Sequence, residues 1–237
     1  MISKGTIAVI LAASICIGIG DQGYPQGKKR TVSLPEPIIS EDGMSVSEAL
    51  NRRQCIRLFS TTTVTLEQLS QLLWSGNGQK VATPSVDAVS AASRTAPSAG
   101  GLYPIELYVV VGEVKGLKAG VYHYRSTLHS LELIQEGDIR AELSRAALGQ
   151  RFIETALLTV AVTAVYERTT RKYGNRGTER YVEMDAGHTA ENIFLQATAL
   201  DLGTTTVGAF RDVQVEQLLG LTEEQPLYLM PIGVPAE

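Results

Sequence analysis

Cysteine, histidine and tryptophan are scarce: two, three and one in 237 residues. Cys16 sits in an apolar N-terminal run, so Cys55 is the one thiol beyond it, and no intramolecular disulfide can brace the remaining chain. The three histidines are scattered, and no second ligand pair stands at metal-site spacing, so no metal centre is expected. Neither sign of charge dominates. The net charge is −4, Lys28-Lys29-Arg30 is the one basic run, and no basic stripe exists to bind nucleic acid. Gly-x-Ser-x-Gly, Walker and Rossmann fingerprints are absent. Internal repeats and low-complexity tracts are absent too, which excludes a solenoid.

What is present describes one globular domain with a leader. The hydrophobic fraction of 44% and charged fraction of 19% suit a packed core of ordinary size. Lys4 is followed by sixteen uncharged residues, 5–20. That run is short of the roughly 20 apolar residues of a spanning helix. Gly18-Ile19-Gly20 before Asp21 offers a small-residue cleavage site, so residues 1–20 read as an export signal, with an uncleaved membrane anchor as the alternative. The expected location is therefore exported: periplasmic or membrane-anchored. Ile15 before Cys16 argues against lipidation. Residues 21–43 read as a linker and 44–237 as the domain.

Periodicity predicts a helix at 45–53, with Ser45 as N-cap, Glu48 at capping-box spacing, and Val46, Ala49 and Leu50 on one face. A second helix is expected at 65–75, with Leu66, Leu69, Leu72 and Leu73 at helical spacing, a Thr65/Gln68 capping box, and Gly76 and Gly78 ending it. Strands are predicted at 105–112, 120–124, 130–135, 156–166 and 227–234. Helices are predicted at 138–148, at 178–202 as one unbroken unit, and at 212–219 with Asp212 as cap and Gly220 as stop. This mixture implies α+β: a mainly antiparallel sheet flanked by helices.

Two segments carry the chemistry. Arg52, Arg53 and Arg57 fall within six positions among apolar residues, and guanidinium binds phosphate through paired planar hydrogen bonds. By themselves Arg53 and Arg57 read first as a surface helix end with an Asp or Glu partner, and as phosphate ligands only in the company of the other motifs. About forty residues on, Pro97 and Pro104 bracket Ser98, Ala99, Gly100 and Gly101. Adjacent glycines allow positive φ and let main chain approach a flat ligand, although a tight turn looks the same.

Together these segments resemble the FMN-dependent nitroreductase superfamily. Arg52-Arg53-Gln54-Cys55-Ile56-Arg57-Leu58-Phe59 is similar to its opening motif, and Pro97 through Glu106 to the second. Lys172-Tyr173-Gly174-Asn175-Arg176-Gly177, then Arg180-Tyr181, Asp185-Ala186-Gly187-His188 and Glu191-Asn192, fit the SagB-type dehydrogenase branch, as does Leu202-Gly203-Thr204-Thr205-Thr206-Val207-Gly208-Ala209-Phe210. That branch includes oxidases that aromatise azolines in peptides. The resemblance covers residues 46–235. It implies a nitroreductase-like fold, an FMN cofactor and a homodimer with flavin between subunits. It also implies hydride transfer through flavin N5, from NAD(P)H or from a small-molecule or peptide substrate. Carried over residue by residue, the flavin ligands are Arg53, Gln54, Cys55, Arg57, Pro97, Ser98, Ala99, Gly100, Gly101, Thr206, Val207 and Gly208. Lys172 and Tyr173 are the catalytic pair, implicated in proton abstraction. A charged loop is the alternative for that pair. Asp185, His188 and Asn192 suggest a helix-packing network, with cofactor support as the second reading. Gln54 and Cys55 depart from the family pattern, and residues 234–237 lack its basic residue. These departures keep open a flavin-binding protein with a degenerate site and no turnover.

Overall fold

The computed structural model describes residues 30–39, 42–81 and 93–236. The expected export signal or anchor lies outside them. Seven strands form one sheet: β1 (Thr31–Ser33), β2 (Ile105–Val111), β3 (Gly120–Arg125), β4 (Ser130–Glu136), β5 (Leu158–Ala164), β6 (Gly203–Thr204) and β7 (Gln225–Gly233). Their order is β1-β4-β3-β2-β5-β7-β6, and every ladder is antiparallel. The central pair β2 and β5 is buried along its whole length, which explains the near-continuous apolar sequence.

Alternation assigns the two faces. Leu107, Val109 and Val111 point into one apolar cluster with Val160, Val162, Met230 and Ile232. The helices α2 (Leu66–Asn77) and α6 (Val182–Ala199) cover that cluster. Tyr108, Val110, Ala161 and Leu229 point into the other, under α3 (Arg140–Ala146), α4 (Arg151–Thr155) and α7 (Asp212–Leu219). Helices thus flank an antiparallel sheet on both faces, as the α+β expectation requires. Two further helices are α1 (Val46–Arg52) and α5 (Glu167–Tyr173).

The Thr65/Gln68 capping box forms in both directions. In α1, Ser45 Oγ accepts the Glu48 N–H, but the Glu48 carboxylate turns to Arg52. Gly76 does not end α2. It lies inside the helix because a Cβ there would stand 2.9 Å from Ile193, so its absence lets α2 and α6 close up. Gly78, in extended conformation, is the stop.

Four local readings differ from the structure. Residues 30–39, assigned to the linker, lie on the domain: β1 pairs with β4, Leu34 is buried, and Ile38 exchanges hydrogen bonds with the Gln71 amide. A three-residue edge strand is too short to show a period. The face of α1 is not a core face, since Val46 and Leu50 are 69% and 54% exposed and Ala49 alone is buried. The segment at 178–202 is two units, a π turn at Gly177–Tyr181 leading into α6. Asp212 begins α7 but does not cap it; the N-cap is Arg211, without a side-chain bond, whereas Gly220 ends the helix left-handed at φ 67° as expected.

Candidate active site

The arginine segment is held at the β6 edge by main chain. The Ile56 N–H donates to Thr204 O at 2.9 Å, Ser60 N–H to Val234 O at 2.8 Å, and Cys55 and Phe59 form bridges with Thr204 and Pro235. Two glycines make room. A Cβ on Gly203 would fall 2.6 Å from Ile56 Cβ, and one on Gly233 would fall 3.0 Å from the Phe59 ring. Gly203 therefore serves packing.

Arg52 pairs with Asp201 at 3.0 Å and with Glu48 at 3.4 Å. Arg53 and Arg57 differ. Their guanidinium carbons lie 5.3 Å and 5.7 Å over the Phe194 and Phe152 rings. Among the described residues neither has a carboxylate partner, so the surface ion pair read first from these residues alone is not formed. Gln54 and Cys55 between them are exposed. Next to this segment Val207 exchanges both main-chain bonds with Leu229, Thr206 is half-buried, and Gly208 is exposed. Thr205 Oγ1 is buried without a partner among the described residues.

The second group lies where β2 begins. The Asp185 carboxylate, 3% exposed in the first turn of α6, accepts from Ser98 Oγ at 2.6 Å and from the Ala99 N–H at 3.3 Å. Ser98 Oγ in turn accepts the Tyr103 N–H at 2.9 Å. Gly100 and Gly101 both have positive φ, 63° and 66°. Gly100 is required within the chain, because a Cβ there would meet Tyr173 Oη at 2.6 Å and Lys172 Nζ at 3.0 Å. Gly101 has nothing within 4 Å of such a Cβ, so its main chain faces open space. Pro97 is exposed. Lys172 and Tyr173 end α5, a helix where a charged loop was the alternative reading. Lys172 is exposed, with Nζ 5.3 Å over the Tyr173 ring, and Tyr173 meets Tyr181 edge-on at 5.0 Å. The desolvation expected of a catalytic lysine is not provided by this chain alone.

Asp185, His188 and Asn192 do not form one network. Asp185 serves the loop, Asn192 donates to Ser75 O of α2 at 3.0 Å, and His188 is exposed.

A buried polar cluster beneath this loop was not foreseen. Glu106 binds His123 Nε2 at 3.0 Å and Arg168 Nη1 at 2.5 Å. Arg125 Nη1 reaches His123 Nδ1 at 3.1 Å. Arginine can only donate, so Nδ1 accepts and Nε2–H donates to Glu106. The His123 ring stacks on Tyr108 at 4.4 Å. Burial pushes the Glu106 carboxyl up, but hydrogen bonds from His123 and Arg168 outweigh it and hold the group below the usual range. Burial, with Glu224 close by, pushes the Tyr108 phenol well above its ordinary value. The signal was present in the sequence: Glu106 and His123 are polar residues in otherwise apolar strands.

The structure sets residues 55 and 56 against Thr204, just ahead of residues 206–208 in the chain, and Gly100 against Lys172 and Tyr173. It does not bring the two groups together within one chain. The arginine segment lies at the Leu158 and Ile232 end of the sheet, with Val207 nearer mid-strand beside Leu229, and the glycine loop lies at the Ile105 and Ala164 end. Six residues of strand separate those ends, roughly 20 Å.

A seven-stranded antiparallel sheet covered on both faces, with candidate groups at opposite ends, defines an α+β protein whose site is divided. Residues 50–234 match the Nitroreductase family, and the chain belongs to it. The protein provisionally named nitroreductase MJ1384 of Methanocaldococcus jannaschii is 40% identical over 203 residues, 86% of this chain and 96% of that one. A nitroreductase structure from Ralstonia eutropha JMP134, also named provisionally, superposes with a TM-score of 0.73 at 30% identity, covering 88% of this chain and 91% of that one. The trifolitoxin-processing protein TfxB of Rhizobium leguminosarum bv. trifolii is 33% identical over 140 residues. That match covers 54% of this chain and about a third (35%) of TfxB. Family membership makes the protein an oxidoreductase of the flavin-dependent type.

Proposed function

We propose that the protein is an FMN-dependent oxidoreductase of the SagB-type branch that works as a homodimer. The observation that carries this reading is the pair Arg53 and Arg57: two guanidiniums backed by aromatic rings, with no carboxylate partner among the described residues. Such groups suit a phosphate monoester. Thr206 and Gly208, which follow closely after the Thr204 that pairs with residues 55 and 56, are not buried and offer polar contacts for the same ligand. The open Gly101 main chain suits the flat ring system. These features fit FMN. When bound, FMN would supply two-electron chemistry, taking or giving a hydride at N5.

Because the two groups stand about 20 Å apart along the strands, one flavin can touch both only where two chains meet. The exposed Val46, Leu50 and Leu58 offer apolar surface for that contact. A partner or a substrate over Lys172 would also provide the desolvation this chain lacks, letting Lys172 and Tyr173 move a proton as hydride leaves. NAD(P)H, or the substrate itself, is the expected electron donor, and the substrate is a small molecule or a peptide. The similarity to TfxB supports the SagB-type assignment. We also keep the export reading, signal or anchor, for residues 1–20.

A visible spectrum of the protein mixed with FMN and freed of excess tests the cofactor, and light scattering tests the dimer. A flavin spectrum and twice the chain mass are expected; a colourless preparation or a monomer refutes the reading. Anaerobic NADH should then bleach the flavin band. The exposure of Gln54, Cys55 and Lys172 favours a second reading, a flavin-binding protein without turnover. Unbleached flavin with every donor tried would favour it.

A further inference from the structure

A cleft of about 520 Å³ opens between the start of β2, the tip of the β3–β4 hairpin and α5. Its size is that of a small-ligand site. Arg94, Arg125 and Arg168 line it, with Leu102, Tyr103 and Glu106. The three guanidiniums are fixed and only partly satisfied. Arg94 donates Nη1 to Ile105 O at 3.3 Å and lies 5.1 Å over the Tyr103 ring. Arg125 pairs through Nε with Glu132 at 3.1 Å and donates Nη1 to His123. Arg168 donates Nη1 to Tyr103 O at 3.0 Å and to Glu106. Among the described residues, the Nη2 groups of Arg94 and Arg168 make no hydrogen bond.

Three cations here share two carboxylates, and Glu106 is already divided between Arg168 and His123. Burial pulls Arg94 below the ordinary arginine range; Glu106 opposes this, and the like charge of Arg168 adds to it. Holding half-buried guanidiniums together without matching acceptors is unfavourable, and an anion between them relieves it.

We propose that this cleft is an oxyanion-binding site, taking a carboxylate or phosphate group of a small molecule between the guanidiniums of Arg94, Arg125 and Arg168 that line it. It is separate from the Arg53 and Arg57 pair. Leu102 and Tyr103 directly follow residues 98–101, so a molecule anchored here lies beside the glycine loop. The site stands on its own geometry and does not depend on the flavin assignment.

Calorimetric titration of the FMN-loaded protein at low ionic strength, with benzoate and separately with inorganic phosphate, tests it. Loading with FMN keeps Arg53 and Arg57 occupied. If the protein takes no flavin, the same titration on the Arg57→Ala protein separates failure of the flavin reading from failure of this one. Saturable binding of at least one anion is expected, weakened about tenfold or more in Arg125→Gln and in Arg168→Gln. Arg145→Gln, a 69%-exposed arginine on α3, should bind as the parent does. Preference for benzoate assigns the site to a carboxylate substrate, and preference for phosphate assigns it to a phosphorylated ligand such as a dinucleotide reductant. Added chloride should weaken either. The Arg125 side chain is 44% exposed, so Arg125→Gln decides the matter if Arg168→Gln misfolds. No saturable heat with either anion, or affinity unchanged in Arg125→Gln, overturns the proposal.

Discussion

At one end of the sheet, Arg53 and Arg57 ride on main-chain pairing between residues 55–60 and the β6–β7 edge; at the other, Ser98 and Ala99 hang on the carboxylate of Asp185. The first end is held by backbone and by two glycines that admit Ile56 and Phe59, which leaves its guanidiniums uncommitted. The second is held by side chains, and the ones that matter are charged and buried. Removing a side chain should therefore unfold the loop end, whereas at the arginine end it should change ligand affinity and leave the fold alone.

The largest expected effect is at the loop end. Glu106→Ala leaves Arg168 and His123 without their anion, and should lower stability by about 3–5 kcal/mol in chemical denaturation. The same carboxyl makes this pH-dependent. Its folded value lies below its unfolded value, so its contribution is complete above about pH 4.3 and is lost as pH falls through the folded value. The parent should lose stability over that acid range, and Glu106→Ala should lose less. Parallel curves would show that other groups carry the acid sensitivity.

Next is a backbone test of the arginine end. Gly203→Ala puts a Cβ 2.6 Å from Ile56 Cβ. It should cost about 1–3 kcal/mol and loosen the 55–60 segment, read as faster amide exchange at Ile56. A comparable cost is expected for Ser98→Ala, about 1–3 kcal/mol, because Asp185 and the Tyr103 N–H each lose a partner. A change below about 0.5 kcal/mol would mean the loop is held by packing and not by that hydroxyl.

The smallest change in stability belongs to Arg57→Ala, within about 0.5 kcal/mol, since its side chain sits exposed against one ring. Its FMN affinity should nonetheless fall about tenfold or more by fluorescence titration. Unfolding without loss of affinity would reverse the comparison between the two ends.

Much of the fold was legible because its signals are local. Near-continuous apolar runs along Ile105–Val111 and Leu158–Ala164 marked the central strands, and Thr65 with Gln68 marked a helix start that forms as written. What failed had no local signal. The strand Thr31–Ser33 exists because β4 offers an edge, and Val46 and Leu50 look like core until the packing of α1 shows that Ala49 alone is covered. The candidate groups were legible as residue types, while their places in space were not. Residues 55 and 56 pair with Thr204, just ahead of 206–208, and Gly100 packs on Lys172 and Tyr173, but the joining of these two sets is not a property of one chain.

The order of residues by itself determined the antiparallel α+β sheet, the Ser45 and Thr65 caps and the presence of arginine and glycine clusters, because those depend on period, φ preference and side-chain chemistry within a few residues. Tertiary structure alone decided which glycines serve packing, that Asp185 holds the loop, that three arginines converge on a cleft, and that the two candidate groups lie at opposite ends. Each of these depends on which distant segments touch, and no short-range pattern encodes that.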